Sequence, residues 1–451
     1  MKKIQGLLIL VILIVSSCQS NEDEINQANL LDLELEAAIR AAAPNGSLSY
    51  FILPLANDFA NIPQDPKNPL TEEKVELGKL LFHETALGNK PELPNATRTY
   101  SCASCHHVEA GFQAGSQQGI GDGGSGFGAR GEAREPSTNY SHNQLDIQPI
   151  RTPTALNVAF QDVMLWNGQF GATGTNAGTE TNWKADTPIE TNHLGFEGVE
   201  TQAIAGFNVH RQLANDQFYE NLPEYKERLM AAFPELTEEE KLSNVGIGLA
   251  IGAYERTLLP TEAPFQKWLN GQKAELGDAA KRGALVFFGK GECSNCHTGP
   301  ALNSMEFHAL GMKDLDALLT DDTNPGFVSA VLGRGGFTKN PDEEYKFKVP
   351  QLYNLADHNF FGHGASFESI FDVVVYKNRA QAEKASLTGH PNLAEDFVPL
   401  NLSSSEIDDL VIFLTDGLYD PELSRYVPDE VLSGGCIPVA DEQSKLDLGC
   451  G

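Results

Sequence analysis

The sequence predicts a mainly α-helical protein built from two related halves with long irregular loops between the helices. Three observations carry this. Outside the stretches rich in Gly, Ser and Asn, apolar positions recur at helical spacing, and no long window alternates as a strand would. The pattern Cys-x-x-Cys-His occurs twice, in "SCASCHH" at 101–107 and "GECSNCHT" at 291–298. Each copy follows a similar segment, "ELGKLLFHE" and "KRGALVFFGKGE", which set Gly78 three residues before Leu81–Phe82 and Gly283 three before Val286–Phe287. A motif and its upstream helix repeated together point to a duplicated unit.

The first residues, "MKKIQGLLILVILIVSSC", carry Lys2 and Lys3 and then an apolar run too short to span a bilayer. They read as an export signal over 1–18. Its ending resembles the bacterial lipoprotein signal, which would leave Cys18 as a lipidated first residue; a plain secretory signal is the alternative. Both place the mature protein outside the cytoplasm, and the lipid reading anchors it in the periplasm or outer cell envelope. An acidic tether follows, then a helix in "NQANLLDLELEAAIRAAA" that closes at "PNG".

Thr71 opens the next helix, with Glu73 and Glu76 in its first turns, and the first cysteine motif comes after it. From Gly111 to Arg151 the chain is rich in Gly, Ser and Asn, without apolar period; a loop this long reads as a functional surface or a flexible insert. Residues 171–188 are similar. Helices return over 199–270 and at "SEIDDLVIFLTDGL", and the tail holds Cys436 and Cys450. In an exported protein that pair reads as a disulfide closing a small loop, ahead of a metal or redox role.

The chain has 451 residues, with 62 acidic against 32 basic side chains and a formal charge of −30. Such a surface repels nucleic acid and steers a cationic partner towards it; it also serves simply to keep the protein soluble.

Two cysteines separated by two residues can form thioethers with the vinyl groups on one edge of a haem, and the following histidine is then carried to the iron. A redox dithiol or half a zinc site are the rival readings. Export, the adjacent histidine and the duplication favour two covalent haem c groups, on Cys102, Cys105 and His106 and on Cys293, Cys296 and His297.

Further segments fall in one order: "RTPTALNVAF", "LWNGQF", "GLAIGAYERTLL", "GALVFF", "FKVPQLYNL" and "FGHGASFESIFDVVVY". With the haem motifs they resemble the bacterial di-haem cytochrome c peroxidases, a group that includes the MauG-type oxidases. The resemblance implies two cytochrome c-like domains facing each other, here 70–270 and 271–420, after a tether and helix over 19–69 and before a tail over 421–451. It implies a peroxidatic haem in the first and an electron-transfer haem in the second. Trp166 would lie between them, although a buried Trp read alone is more often core packing. Hydrogen peroxide and a small donor protein such as a cytochrome c are the implied partners, and members are often homodimers.

The chain also departs from the family pattern. Where many members cap the resting iron with a histidine, "IGDGG" has Asp122, which implies an open first iron. Gln202 matches a distal glutamine, but the glutamate ten residues on is replaced by Gln212. An amide cannot shuttle the protons of peroxide cleavage, so His210 or Glu200 are the alternatives; His210 reads equally as a surface residue. At the second haem, counting from His363 reaches Lys377, with Tyr376 one residue earlier. Tyr376 is favoured as sixth ligand, then Lys377, then none, and His363 is read as support. An interdomain calcium is a family feature whose asparagine ligand is replaced here by Arg151. The resulting function is an exported peroxidase; a MauG-like oxidase and a non-catalytic relay cytochrome are the alternatives.

Overall fold

The computed structural model describes residues 30–316 and 325–450. The export segment with Cys18 lies outside them. Among the described residues the fold is mainly helical, with two antiparallel two-residue ladders, Gly124–Ser125 on Glu135–Pro136 and Phe307–His308 on Phe347–Lys348. No helix among them is long and apolar enough to cross a membrane.

Each half is organised around one helix pair. In the first, the Glu72–His83 helix starts where the Thr71 hydroxyl accepts from the Lys74 amide, with Glu72 and Glu73 at its positive end. It crosses the Asn244–Glu255 helix, on which the Gly198–Val209 helix also packs. In the second, the Asp278–Phe288 helix crosses the Ser404–Ile412 helix, which begins in a Ser403/Glu406 capping box. The crossings match in detail. A Cβ on Gly78 would lie 1.9 Å from the Ala250 oxygen and 2.8 Å from the Tyr254 Cβ; on Gly283 it would lie 1.9 Å from the Asp409 oxygen and 2.8 Å from the Phe413 Cβ. The repeated glycine is the contact point of both pairs.

Three boundaries differ from the sequence reading. The helix over 30–42 is docked rather than tethered: Leu35 and Ile39 are fully buried in the second core, and Asp32 accepts from the Trp268 indole at 2.7 Å and pairs with Lys281 at 2.7 Å. The Pro264–Leu269 helix also belongs to that core, where Phe265 stacks on Phe288 and meets Phe413 edge-on, so the first half ends earlier than 270. The tail returns to the first half. Cys436 and Cys450 form a disulfide, the Pro438 carbonyl accepts from the Ser101 and Ser104 hydroxyls at 3.0 and 3.1 Å, and Asp447 accepts from the Phe127 and Gly128 amides.

The Gly-rich stretch is ordered by buried charge as well as by a small apolar cluster of Ile120, Tyr140 and Leu145 with Ala96. The Arg134 guanidinium donates to the Ile120, Gly121 and Gly126 carbonyls and to Asp441. Asp122 is fully buried and accepts from the Tyr140 hydroxyl, the Glu92 amide and Arg211.

Candidate haem sites

Both cysteine motifs adopt one local structure. Cys102–Ser104 and Cys293–Asn295 each form a single 3₁₀ turn, and the histidine amide closes on the first cysteine's carbonyl, at 3.1 Å for His106 and 2.9 Å for His297. The His106 Nδ1 lies 3.2 Å from the Phe112 carbonyl; the His297 Nδ1 lies 3.1 Å from that of Leu302 and 3.0 Å from that of Pro350. Phe112 and Leu302 both have positive φ, which aims those carbonyls back at the rings. A carbonyl can only accept, so each Nδ1 carries the proton and each Nε2 keeps its lone pair for a metal. Burial pulls both imidazoles down to about 4, so they are neutral.

None of the four motif cysteines is in a disulfide. Burial pushes Cys102, Cys105 and Cys293 up to about 12 and Cys296 to about 11, so none is a ready thiolate nucleophile. Paired neutral thiols one turn ahead of a metal-ready imidazole fit a covalently held haem.

Around the second motif lies a cavity of about 330 Å³, lined by Cys293, Cys296 and His297, by Ile370, Val373 and Lys377 of the Ile370–Arg379 helix, and by Arg151, Trp166 and His363 at the junction of the halves. Tyr376, favoured by the count along the chain, is not among the lining residues: its hydroxyl donates to the Leu310 carbonyl and its ring packs on Phe367 and Phe397. Lys377 lines the cavity, and burial lowers its amine to about 8. His363 is held by Asp314, 3.2 Å from its Nε2, and stacks on Phe347 at 3.6 Å between ring centroids.

Trp166 sits at the junction. Its indole donates to the Arg151 carbonyl at 3.0 Å and its ring centre is 6.3 Å from that of His363. Arg151 is buried and its guanidinium donates to the Ser116, Gln117 and Ala114 carbonyls and the Gln113 side chain at 2.5–3.1 Å. A fixed cation takes the oxygens around the position where the resemblance had implied calcium.

Near the first motif, His210 caps the Gly198–Val209 helix and its Nδ1 lies 2.9 Å from the Asp146 carboxylate. Burial opposes a charge on this ring, but Asp146 outweighs it and raises the His210 pKa. The Gln212 side-chain oxygen lies 3.7 Å from the Cys102 sulfur, beside the haem attachment. Gln202 is half-buried on the same helix. Glu200 is engaged by Arg256 at 2.7 and 2.8 Å, and Asp122 by the three donors above, so neither is free to act at an iron.

Asp146 and Glu255 did not emerge from the sequence. Glu255 is buried, its Oε2 has no hydrogen-bond partner among the described residues, and burial, then Glu200, push its carboxyl up to about 8. A signal that was present went unused: "RTPTALN" and "KVPQLYN" repeat, with Asn157 and Asn354 both left-handed and their amides bonded to Leu258 and Leu418. "MLWNGQF" and "FGHGASF" repeat as well, each closed by a bridge between its end residues, which makes Trp166 and His363 counterparts.

A family model described as di-haem cytochrome c peroxidase matches residues 72–274. The chain is 27% identical to the cytochrome-c peroxidase IdrP1 of Denitromonas iodatirespirans, over 85% of this chain and 91% of that protein. Over residues 72–274 the chain thus resembles the di-haem cytochrome c peroxidases. It is also 26% identical to the methylamine utilization protein MauG of Methylorubrum extorquens, over 78% of this chain and 80% of that one. The fold is shared with a MauG-like protein associated with microbial copper homeostasis, at a TM-score of 0.55 and 23% identity over 84% of this chain and 98% of that one. The likeness implies two covalent haem c groups, which Cys102, Cys105 and His106 and Cys293, Cys296 and His297 would bind.

Proposed function

We propose that this protein is an exported peroxidase that reduces hydrogen peroxide to two waters with two protons and two electrons from a small donor protein. The bound haems supply the redox chemistry. The observation that carries the reading is the His210–Asp146 pair beside the first motif. Heterolysis needs one group that takes a proton from the near oxygen and returns it to the far one. With Nδ1–H donated to Asp146, the His210 Nε2 can do both, a role Gln212 cannot fill. His106 and its Phe112 bond set the attachment of the first group, and Gln202 is the second distal residue. Trp166 bridges the halves, and the acidic surface would draw in a basic donor cytochrome. An export signal over 1–18 with a lipid on Cys18 would put the protein in the periplasm or on the envelope; fatty-acid labelling that is lost in Cys18→Ser tests this.

The likeness to MauG supports a second reading, an oxidase acting on a protein or organic substrate. Steady-state peroxide consumption with a reduced cytochrome c separates the two. Turnover that depends on the donor and collapses in His210→Ala supports the peroxidase. A long-lived oxidised form after peroxide without donor, together with negligible turnover, supports the oxidase. Neither result would leave a relay cytochrome.

A further inference from the structure

The second cavity receives four basic side chains, and three of them are engaged. Arg151 donates to its four oxygens, Lys348 to the Val163 carbonyl and the Gln161 side chain, and Lys384 to Asp314 at 2.6 Å. Lys377 is different. Its Nζ makes no hydrogen bond or ion pair among the described residues and lies over the Phe397 ring, 5.9 Å from its centre. An uncommitted amine inside a protein is costly unless something receives its lone pair or its charge. Of the histidines on the same wall, the His308 Nε2 lies 3.2 Å from Glu306 and the His363 Nε2 3.2 Å from Asp314, while the buried His358 Nε2, which abuts Gly111, also lacks a hydrogen-bond partner among the described residues.

The helix places Lys377 on the wall of the cavity that His297 also lines. Ile370, Val373 and Lys377 lie three and four residues apart, on one face, and all line the cavity with Cys293, Cys296 and His297.

We propose that Lys377 is the sixth ligand of the second haem iron, binding through Nζ opposite the histidine side, so that this centre is closed to peroxide and carries electrons only. The inference rests on the two-haem reading. The test uses the holoprotein, with haem content first confirmed by mass and by pyridine haemochrome; fewer than two haems would sink that reading, not this one. Electron paramagnetic resonance and near-infrared spectra of the ferric wild type, Lys377→Ala and Lys377→Met then read the ligand directly. Expected are a low-spin, nitrogen-ligated second haem in wild type, near-complete conversion of that signal to high-spin in Lys377→Ala, and recovery of a low-spin signal with a methionine–iron charge-transfer band in Lys377→Met. The first haem's signal, unchanged throughout, reports that the variants fold. A second haem already high-spin or methionine-ligated in wild type, or a low-spin signal that survives in Lys377→Ala, overturns the proposal.

Discussion

Arg151 donates its backbone N–H to the His363 carbonyl at 3.0 Å, and across the same junction Lys348 donates its own to the Trp166 carbonyl at 2.8 Å. Since Arg151 and Lys348 are counterparts in the repeated "TPTALN" and "VPQLYN" segments, and Trp166 and His363 in the repeated turns, the halves exchange one pair of bonds reciprocally. The junction is thus a pseudo-symmetric clasp with Trp166 on one side and His363 on the other.

Arg151 supplies that clasp with a cation of its own. A chelator is therefore expected to leave the thermal midpoint and the spectra of the holoprotein unchanged. Arg151→Ala strands four buried acceptors and should destabilise by about 3 kcal/mol or more; calorimetry on both, with and without added calcium, checks this. A calcium-dependent midpoint in wild type would refute it.

Gly78 and Gly283 each touch a carbonyl that a methyl group would overlap. Alanine at either site should cost about 1–3 kcal/mol or more, because two packed backbones must separate. The loss should be local: Gly78→Ala perturbs the spectrum of the first haem and Gly283→Ala that of the second. Equal effects on both haems would show that the halves do not unfold as separate units.

For His210 the sign follows from its partner. Asp146 favours the protonated ring, and only the neutral ring can take a proton from peroxide, so turnover should rise with pH through the His210 pKa. Asp146→Asn removes the stabilising charge and should move that limb to lower pH by about one unit or more. His210→Ala should lower turnover roughly 10²–10⁴-fold and abolish the limb. A limb unmoved in Asp146→Asn assigns it to another group.

Glu255 makes stability depend on pH. The folded carboxyl titrates at about 8 and the unfolded one at 4.5, so its contribution is complete below pH 4.5 and declines as pH rises towards 8. The slope is about 1.4 kcal/mol per pH unit. Glu255→Gln should gain on wild type across that window and run parallel to it outside. Thermal midpoints of the two holoproteins at a series of pH values will show whether the curves diverge.

Cys436 and Cys450 close a loop with a sequence separation of 14. Serine at either position should destabilise the tail by about 3 kcal/mol on the chain-entropy estimate. Proteolysis after Tyr426 should accelerate, with the second haem's spectrum unchanged. Unchanged proteolysis would mean that the Pro438, Asp441 and Asp447 contacts suffice.

Much of this was legible in the chain. The haem motifs were readable because covalent attachment ties chemistry to a five-residue spacing, and the helix pairs because Gly78 and Gly283 repeat with their apolar neighbours. Pairings across long separations were not. His210 meets Asp146 64 positions away. The ring of oxygens around Arg151 is mostly backbone, which leaves no trace in residue identity. Counting along the helix could not separate Tyr376 from Lys377, since adjacent residues on a helix face about 100° apart. The Gly-rich stretch read as loose because its organisers, Arg134 and Asp122, are charged types normally found in water.

The bond from Ser101 to Pro438 joins residues 337 positions apart. A nascent chain emerges with Ser101 first, so its first cysteine pair must wait for almost all later residues to be made before the strap over it can close. Until then those thiols remain open to whatever attaches the porphyrin, and the order of synthesis itself leaves time for that reaction.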